Sequence, residues 1–231
     1  MDYNKIGNSI ILNYKVWFLF FVCSTILCDG SIFLGIVTFL YTYLVCYIGH
    51  YLMHVDFCYC HVYSLCHCNH HVNSEWAGFI VNCMTEYITL TNNIVFKFIL
   101  NQFEIVNLFF INPWIIFFLY LIYTTVHNIN YSMFKVNQYH VIHHADPITN
   151  IGPDFYDLLF ETKNVKTEDN EQIDHFIPNI IFAFILVLLV KKLYKNYPET
   201  MNILFAASWI GFSGTATIFG LSKLIEQIQN I

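Results

Sequence analysis

Apolar runs recur along nearly the whole chain, separated by short polar stretches. A helix crosses the roughly 30 Å hydrocarbon core of a bilayer with about 20 mainly apolar residues. Three segments come near that length: Ile32 to Met53, which carries no charge; Glu104 to Val126, with a kink expected at Pro113; and Met201 to Leu221. In the last, Ser208, Gly211, Ser213, Gly214, Thr215 and Gly220 predict close helix packing. Three weaker segments pair with these. Val16 to Cys28 reaches spanning length only if Ile10 to Lys15 is added, with Lys15 snorkelling to the interface. Ile177 to Val190 runs into Lys191, Lys192 and Lys195, which points to a re-entrant or interfacial segment, and Trp76 to Leu100 carries Glu86, Asn92, Asn93 and Lys97. The pattern predicts four to six membrane segments.

Asp29-Gly30-Ser31 and Asn101-Gln102-Phe103 read as tight turns between antiparallel helices. Two turns of that kind bring the polar stretches from His50 to Glu75 and from His127 to Asp174 out on the same side of the bilayer. Composition sharpens this picture. Of 231 residues, 57% are apolar and only 11% charged, against roughly 25% charged in ordinary globular domains. The fold class expected is an all-α, polytopic integral membrane helical bundle. It forms a single domain over residues 1–231, with a C-terminal membrane hairpin over about 177–222.

The formal charge of −6 comes from ten Lys and no Arg against sixteen acids, and the Lys are scattered, which argues against a nucleic-acid partner. Lys5, Lys15, Lys135, Lys163, Lys166 and Lys223 fall on the proposed cytosolic side, with Lys97, Lys191, Lys192 and Lys195 opposite. The first apolar run ends in Cys28-Asp29-Gly30 rather than a small-residue cleavage site, so reduced thiols are expected. Cys58, Cys60, Cys66 and Cys68 crowd one polar stretch as CxC pairs. That spacing differs from the CxxC of zinc knuckles, and these thiols read as spectators.

Nine of eleven His fall into four groups at predicted helix exits or in the two polar stretches. His50 and His54 form HYLMH, an i, i+4 pair on one helix face. His67, His70 and His71 form HCNHH, and His140, His143 and His144 form HVIHH; each triplet converges on one side, with His70 and His143 at its flank. His127 ends the fourth apolar run, whereas His61 and His175 read as ordinary polar tips. Nine imidazoles exceed the needs of one four-coordinate ion and fit two ions with open positions. Imidazole suits Zn, Cu, Fe and Ni alike, so the ligands do not choose the metal.

HYLMH, HCNHH and HVIHH, in that order and with a membrane hairpin between the second and third, resemble the fatty acid hydroxylase/sterol desaturase superfamily of integral membrane di-iron enzymes. The likeness covers roughly residues 32–163, the histidine-box core. Glu86 sits where the family often has an acid after its histidine box, and His127-Asn-Ile-Asn-Tyr131 is similar to its isolated His with a polar and aromatic patch. Asn150-Ile-Gly152 through Phe160-Glu-Thr162 is similar to its Asn, aromatic and Gly stretch with a Phe-Gly-Thr ending. Glu161 stands where that ending has Gly, the span from His54 to His67 is longer than usual, and further apolar segments follow the last box.

The resemblance implies O2-dependent hydroxylation or desaturation of a lipid C–H bond, on a fatty acyl chain or sterol, by two iron ions; zinc is the expected substitute in purified protein. It implies His50, His54, His67, His70, His71, His127, His140, His143 and His144 as metal ligands, with no catalytic residue beyond them. Asn150, Asp154 and Asp157 are candidates to orient ligating rings, Asp154 and Asp157 acting on His143 or His144. The acids Glu161, Glu168, Asp169, Glu171 and Asp174 read as a solvated segment able to dock a reductase. With no fused haem module and no nucleotide-binding loop, electrons are expected from cytochrome b5 or a reductase, in the endoplasmic reticulum membrane with the metal site facing the cytosol. The competing reading is a non-enzymatic carrier or sensor of Zn or Cu. A catalytically dead scaffold is a third, which the complete histidine set disfavours.

Overall fold

A computed structural model describes residues 3–55, 62–72, 76–102, 110–136, 139–152, 154–167 and 170–229, with the side chains of 62, 69–72, 76, 77, 93 and 96–102 outside that description. Every regular element among the described residues is helical: α1 (Tyr3–Leu12), α2 (Tyr14–Leu27), α3 (Ile32–His54), α4 (Val62–Val72), α5 (Trp76–Gln102) and α6 (Pro113–Thr125). A π-helix (Val126–Met133) comes next, then α7 (Tyr139–Ala145), α8 (Asp154–Leu159), α9 (Ile177–Asn196) and α10 (Pro198–Gln229).

Helical periodicity decides what each helix buries. On α3 the buried positions are Gly35, Thr38, Phe39, Thr42, Tyr43, Cys46, Tyr47, His50 and His54, one stripe at three- and four-residue steps. His50 and His54 are therefore the polar end of an otherwise apolar and aromatic face. That face meets Val16, Trp17, Phe20, Cys23 and Leu27 of α2, Ile115, Phe118, Leu119 and Ile122 of α6, and Ile180, Ala183 and Val187 of α9, forming one core. A second cluster joins Cys66 of α4, Val81, Tyr87 and Ile88 of α5, and Ala216 of α10. Buried Thr42, Thr85 and Thr91 each donate to the carbonyl four residues back, Thr42 to Thr38 at 2.8 Å, which satisfies those hydroxyls within their own helices.

The expected turn at Asp29-Gly30 is present, with both residues in left-handed conformation and Ser31 accepting from the Leu34 N–H to start α3. Beyond the turn α2 and α3 approach so closely at Gly35 that a Cβ there would lie 2.7 Å from the Thr25 backbone. The other predicted turn differs: Asn101 and Gln102 are still helical, and residues 103–109 lie outside the described residues.

Among the described residues three helical segments are long and apolar enough to cross a membrane: Ile32–His54, Asp174–Asn196 and Pro198–Gln229; α1 and α2 make a fourth only as a pair bent by 72°. This stands at or below the low end of four to six. The polar residues of α5 and the 13-residue length of α6 keep both below that threshold. Ile10 to Lys15 does not extend α2 in a straight line, because the chain turns at Asn13. This buried side chain donates to Ser9 O at 3.1 Å and Glu171 O at 2.8 Å and accepts from the Ile173 N–H at 2.9 Å.

The lysines after Val190 do not end the helix, and α9 runs unbroken to Asn196. Lys191 Nζ reaches Leu27 O at 2.9 Å and Asp29 Oδ1 at 2.7 Å, closing the end of α2 where carbonyls lack helical partners. On α10, Ala216 and Gly220 are buried. Gly211 and Gly214 face open space instead, so the close packing predicted there is not made among the described residues.

Replacing Asn13 with Ala leaves the Ile173 N–H and Glu171 carbonyl without their partner. A buried group stranded in this way costs about 1–3 kcal/mol, and thermal unfolding in detergent is expected to shift down accordingly.

Candidate metal centre

Four elements deliver the histidines. The end of the α3 stripe supplies His50 and His54, α4 supplies His67, the π-helix supplies His127, and α7 supplies His140, His143 and His144. The wider turn of a π-helix re-aims side chains relative to an α-helix and recurs at functional sites. Here it buries His127, Asn128 and Asn130. The two polar stretches thus meet, as the hairpin argument anticipates. Two groups result, each with ligand atoms within 4.8 Å of one another: His50, His54, His67 and His143, all buried, and His127, His140 and His144. They abut, with the His50 and His127 ring centres 6.1 Å apart and those of His140 and His143 5.8 Å apart.

In the first group three Nε2 atoms form a triangle: His50 to His67 at 3.1 Å, His54 to His50 at 3.2 Å and His67 to His54 at 3.0 Å. The outer nitrogens settle the tautomers. His50 Nδ1 lies 2.5 Å from Ile151 O, with the Tyr123 hydroxyl 2.9 Å away, and His143 Nδ1 lies 2.8 Å from Thr149 O. A carbonyl only accepts, so both Nδ1 atoms carry the proton. His67 Nδ1 meets Asn82 Oδ1 at 3.1 Å, and the Asn82 amide is oriented by donating to Glu86 Oε1 at 2.9 Å. His67 therefore also donates outward. His50, His67 and His143 are left with Nε2 lone pairs facing inward, an arrangement that a shared cation stabilises, and the His54 Nε2 completes the triangle with His50 and His67. A metal–nitrogen bond of about 2.0–2.1 Å puts neighbouring ligand atoms roughly 2.9–3.4 Å apart in octahedral or tetrahedral geometry, and the triangle has those edges. Burial, with the neighbouring His54 charge second, holds the His143 imidazole well below its usual range, so it stays neutral and able to ligate. This buried cluster could hold a metal ion.

In the second group His140 and His144, one turn apart on α7, bring their Nε2 atoms to 2.8 Å. His127 Nδ1 donates to Glu86 Oε1 at 2.7 Å, so its Nε2 carries the lone pair. Glu86, which also accepts from Thr124 at 2.7 Å, thus touches both groups: His127 directly and His67 through Asn82. Neither a protein-family model, nor a curated protein, nor a solved structure matches the chain.

Of the nine predicted ligands, seven fall into the two groups. The side chains of His70 and His71 lie outside the described residues, as do Cys58, Cys60 and His61. HVIHH divides, His143 joining the first group and its neighbours the second. The bonds of Asp157 and Asn150 go mainly to the backbone and that of Asp154 to a lysine, with none to the His143 or His144 ring among the described residues. Asp157 accepts from the N–H groups of Ile151 (3.0 Å) and Gly152 (3.4 Å) and from Thr162 Oγ1 (2.7 Å), which aims Ile151 O at His50. Burial outweighs these three donors and lifts its carboxyl to about 7. Asp154 pairs with Lys163, and Asn150 Oδ1 accepts from the Asn164 N–H at 3.0 Å. Glu171, expected in a solvated segment, is 5% exposed and accepts from the Tyr131 hydroxyl; Glu168 and Asp169 lie outside the described residues.

The six described cysteines are free. Cys66 and Cys68 donate to the carbonyls of Ala216 and Met53, and burial pushes the Cys66 thiol up to about 11, so it stays protonated rather than becoming a thiolate ligand. Asn82, Thr124 and Tyr123 were not anticipated. Asn82 precedes Glu86 by one turn and Tyr123 precedes His127 by one turn, a polar i, i+4 spacing that could have found both.

Glu161 adopts a left-handed conformation, φ 58°, at the position where the resembling family has Gly. An unfolding midpoint higher for Glu161→Gly than for Glu161→Ala is expected, since both remove the side chain but only Gly relieves the backbone. Glu86→Gln is expected to weaken metal retention at both groups, by about 10–100-fold at equilibrium. Metal per chain after graded chelator dialysis reads this directly, and loss confined to one group would show that Glu86 serves that group alone.

Proposed function

We propose that the chain is a membrane-bound, O2-dependent di-iron oxidoreductase that hydroxylates or desaturates a C–H bond of a fatty acyl or sterol lipid. The observation that carries this reading is the pair of abutting histidine groups beside a cleft that three of their rings line. His50, His127 and His140 line that cleft together with Phe20, Leu119 and Ile122 of the core. The resemblance in the order of the histidine motifs supports the same class. When bound, two irons supply the electrons that cleave O2 and the oxidant that removes hydrogen from an unactivated carbon.

The chain's own part is positional. The Thr149 and Ile151 carbonyls, Asn82 and Glu86 hold His143, His50, His67 and His127 in one tautomer and orientation, so ion binding requires little rearrangement. Phe20, Leu119 and Ile122 give an alkyl chain an apolar wall and keep water from the histidines. The lipid enters from the bilayer, in keeping with exposed Phe18, Phe33, Ile48, Phe182, Ile210 and Ile218 on the long helices. Electrons come from a partner, cytochrome b5 or a reductase, at the cytosolic face of the endoplasmic reticulum membrane. Burial of the first group, with no member more than 7% exposed, suits a resident cofactor better than an ion that a carrier must release.

Anaerobically purified protein is expected to hold about two irons per chain, the number of histidine groups, with ligand counts as in other imidazole sites. Cells making it should accumulate a hydroxylated or newly unsaturated lipid. His143→Ala and His140→Ala are expected to abolish that product with the protein still in the membrane fraction. Turnover retained in both, or one zinc or copper with an unchanged lipid profile, overturns the assignment.

A further inference from the structure

The cleft lining is chemically mixed. Phe20, Leu119, Ile122 and Phe176 are apolar, while Asp154, Asp157 and Glu171, each no more than 5% exposed, are carboxylates. Two of these carboxylates have identified internal roles. Asp157 receives the Ile151 and Gly152 N–H groups and the Thr162 hydroxyl, and Glu171 receives Tyr131. Asp154 is different. Its Oδ1 pairs with Lys163, but its buried Oδ2 meets no donor among the described residues.

A buried carboxylate oxygen without a donor is costly, and the side from which a donor can come is the cleft. The surroundings narrow the ligand further. Among the described residues the cleft lining carries three carboxylates, Asp154, Asp157 and Glu171, and Asp154 is paired with Lys163, whose Nζ lies 5.3 Å from the centre of the Tyr139 ring. Whatever charge ions in the histidine groups add, a carboxylate or phosphate at this point brings only acceptors to an oxygen that needs a donor.

We propose that the substrate is a long-chain lipid whose polar end is a hydrogen-bond donor, an alcohol or amine, held by Asp154 Oδ2 in the lining of the cleft. The inference rests on the reading of the cleft as a lipid site. It excludes free fatty acids and phosphorylated lipids as preferred ligands, because their head groups bring acceptors where a donor is needed.

The test uses metal-loaded protein in detergent at pH 8 and three probes of one chain length: 1-hexadecanol, hexadecylamine and hexadecanoate, compared by equilibrium binding. A hydrogen bond to a charged group predicts the alcohol and the amine binding about ten-fold or more tighter than the carboxylate. Asp154→Asn, which presents an amide at the same place, is expected to remove that preference while metal content is unchanged. Hexadecanoate binding as tightly as the other two overturns the proposal from the wild-type protein alone, whether or not the variant folds. A preference that survives Asp154→Asn in metal-replete protein overturns the role of Asp154. If none of the three probes binds, it is the lipid reading of the cleft that fails.

Discussion

Imidazole lone pairs converging at about 3 Å inside a mostly apolar bundle are the constraint on which the rest of the structure depends. Neutral rings placed so closely cannot all satisfy one another, because each ring has a single N–H, and in His50, His67 and His143 that proton points outward. Each outward bond then needs an acceptor at a fixed place. Two of these are backbone carbonyls in the loop after α7, so the loop has to be as rigid as the helices. Asp157 accepts two of its N–H groups, Asn150 is held in a left-handed turn with its amide oxygen bonded to Asn164, and the Tyr47 ring lies so close that a Cβ on Gly152 would come within 2.9 Å of it. A loop that carries no ligand thus decides how two ligands are presented.

Glu86 solves the other half of the problem. A carboxylate in the middle of an apolar helix is expensive unless several donors share it, and Asn82, Thr124 and His127 do so. The same bonds make it the one described acid that joins both histidine groups, so the interaction that compensates its burial also ties the geometry of one group to the other. Asn13 plays a comparable part farther away. By turning α1 against α2 and gripping the backbone at Glu171 and Ile173, it fixes the segment that brings Glu171 to the cleft.

The outer faces follow a different rule. Large apolar side chains lie exposed along α3, α9 and α10, where an aqueous setting would penalise them and a bilayer would not. The buried histidine cluster and the apolar exterior are therefore consequences of one arrangement: the titratable chemistry is gathered where the helices cross, and hydrocarbon-like surface is left outside.

Much of this was legible along the chain. Three- and four-residue steps place Phe39, Tyr43, Tyr47, His50 and His54 on one face of α3, and the same spacing pairs His140 with His144, because neighbours on a helix surface are determined by local geometry alone. Apolar length marks α3 and α10, though not α9, whose lysines give it the pattern of a re-entrant or interfacial segment, and Glu86 stands out as an acid among apolar residues. What only the tertiary structure decided has a common cause. The division of HVIHH between two groups, the bend at Asn13, the open face of Gly211 and Gly214, and the reach of Lys191 to the end of α2 all depend on which helix faces meet, and that is set by contacts between residues far apart in sequence. The bonds from His50 and His143 end on backbone carbonyls, which every residue carries, so no residue type marks them. Local sequence determined which side chains share a face; the crossing of the helices determined what each face meets.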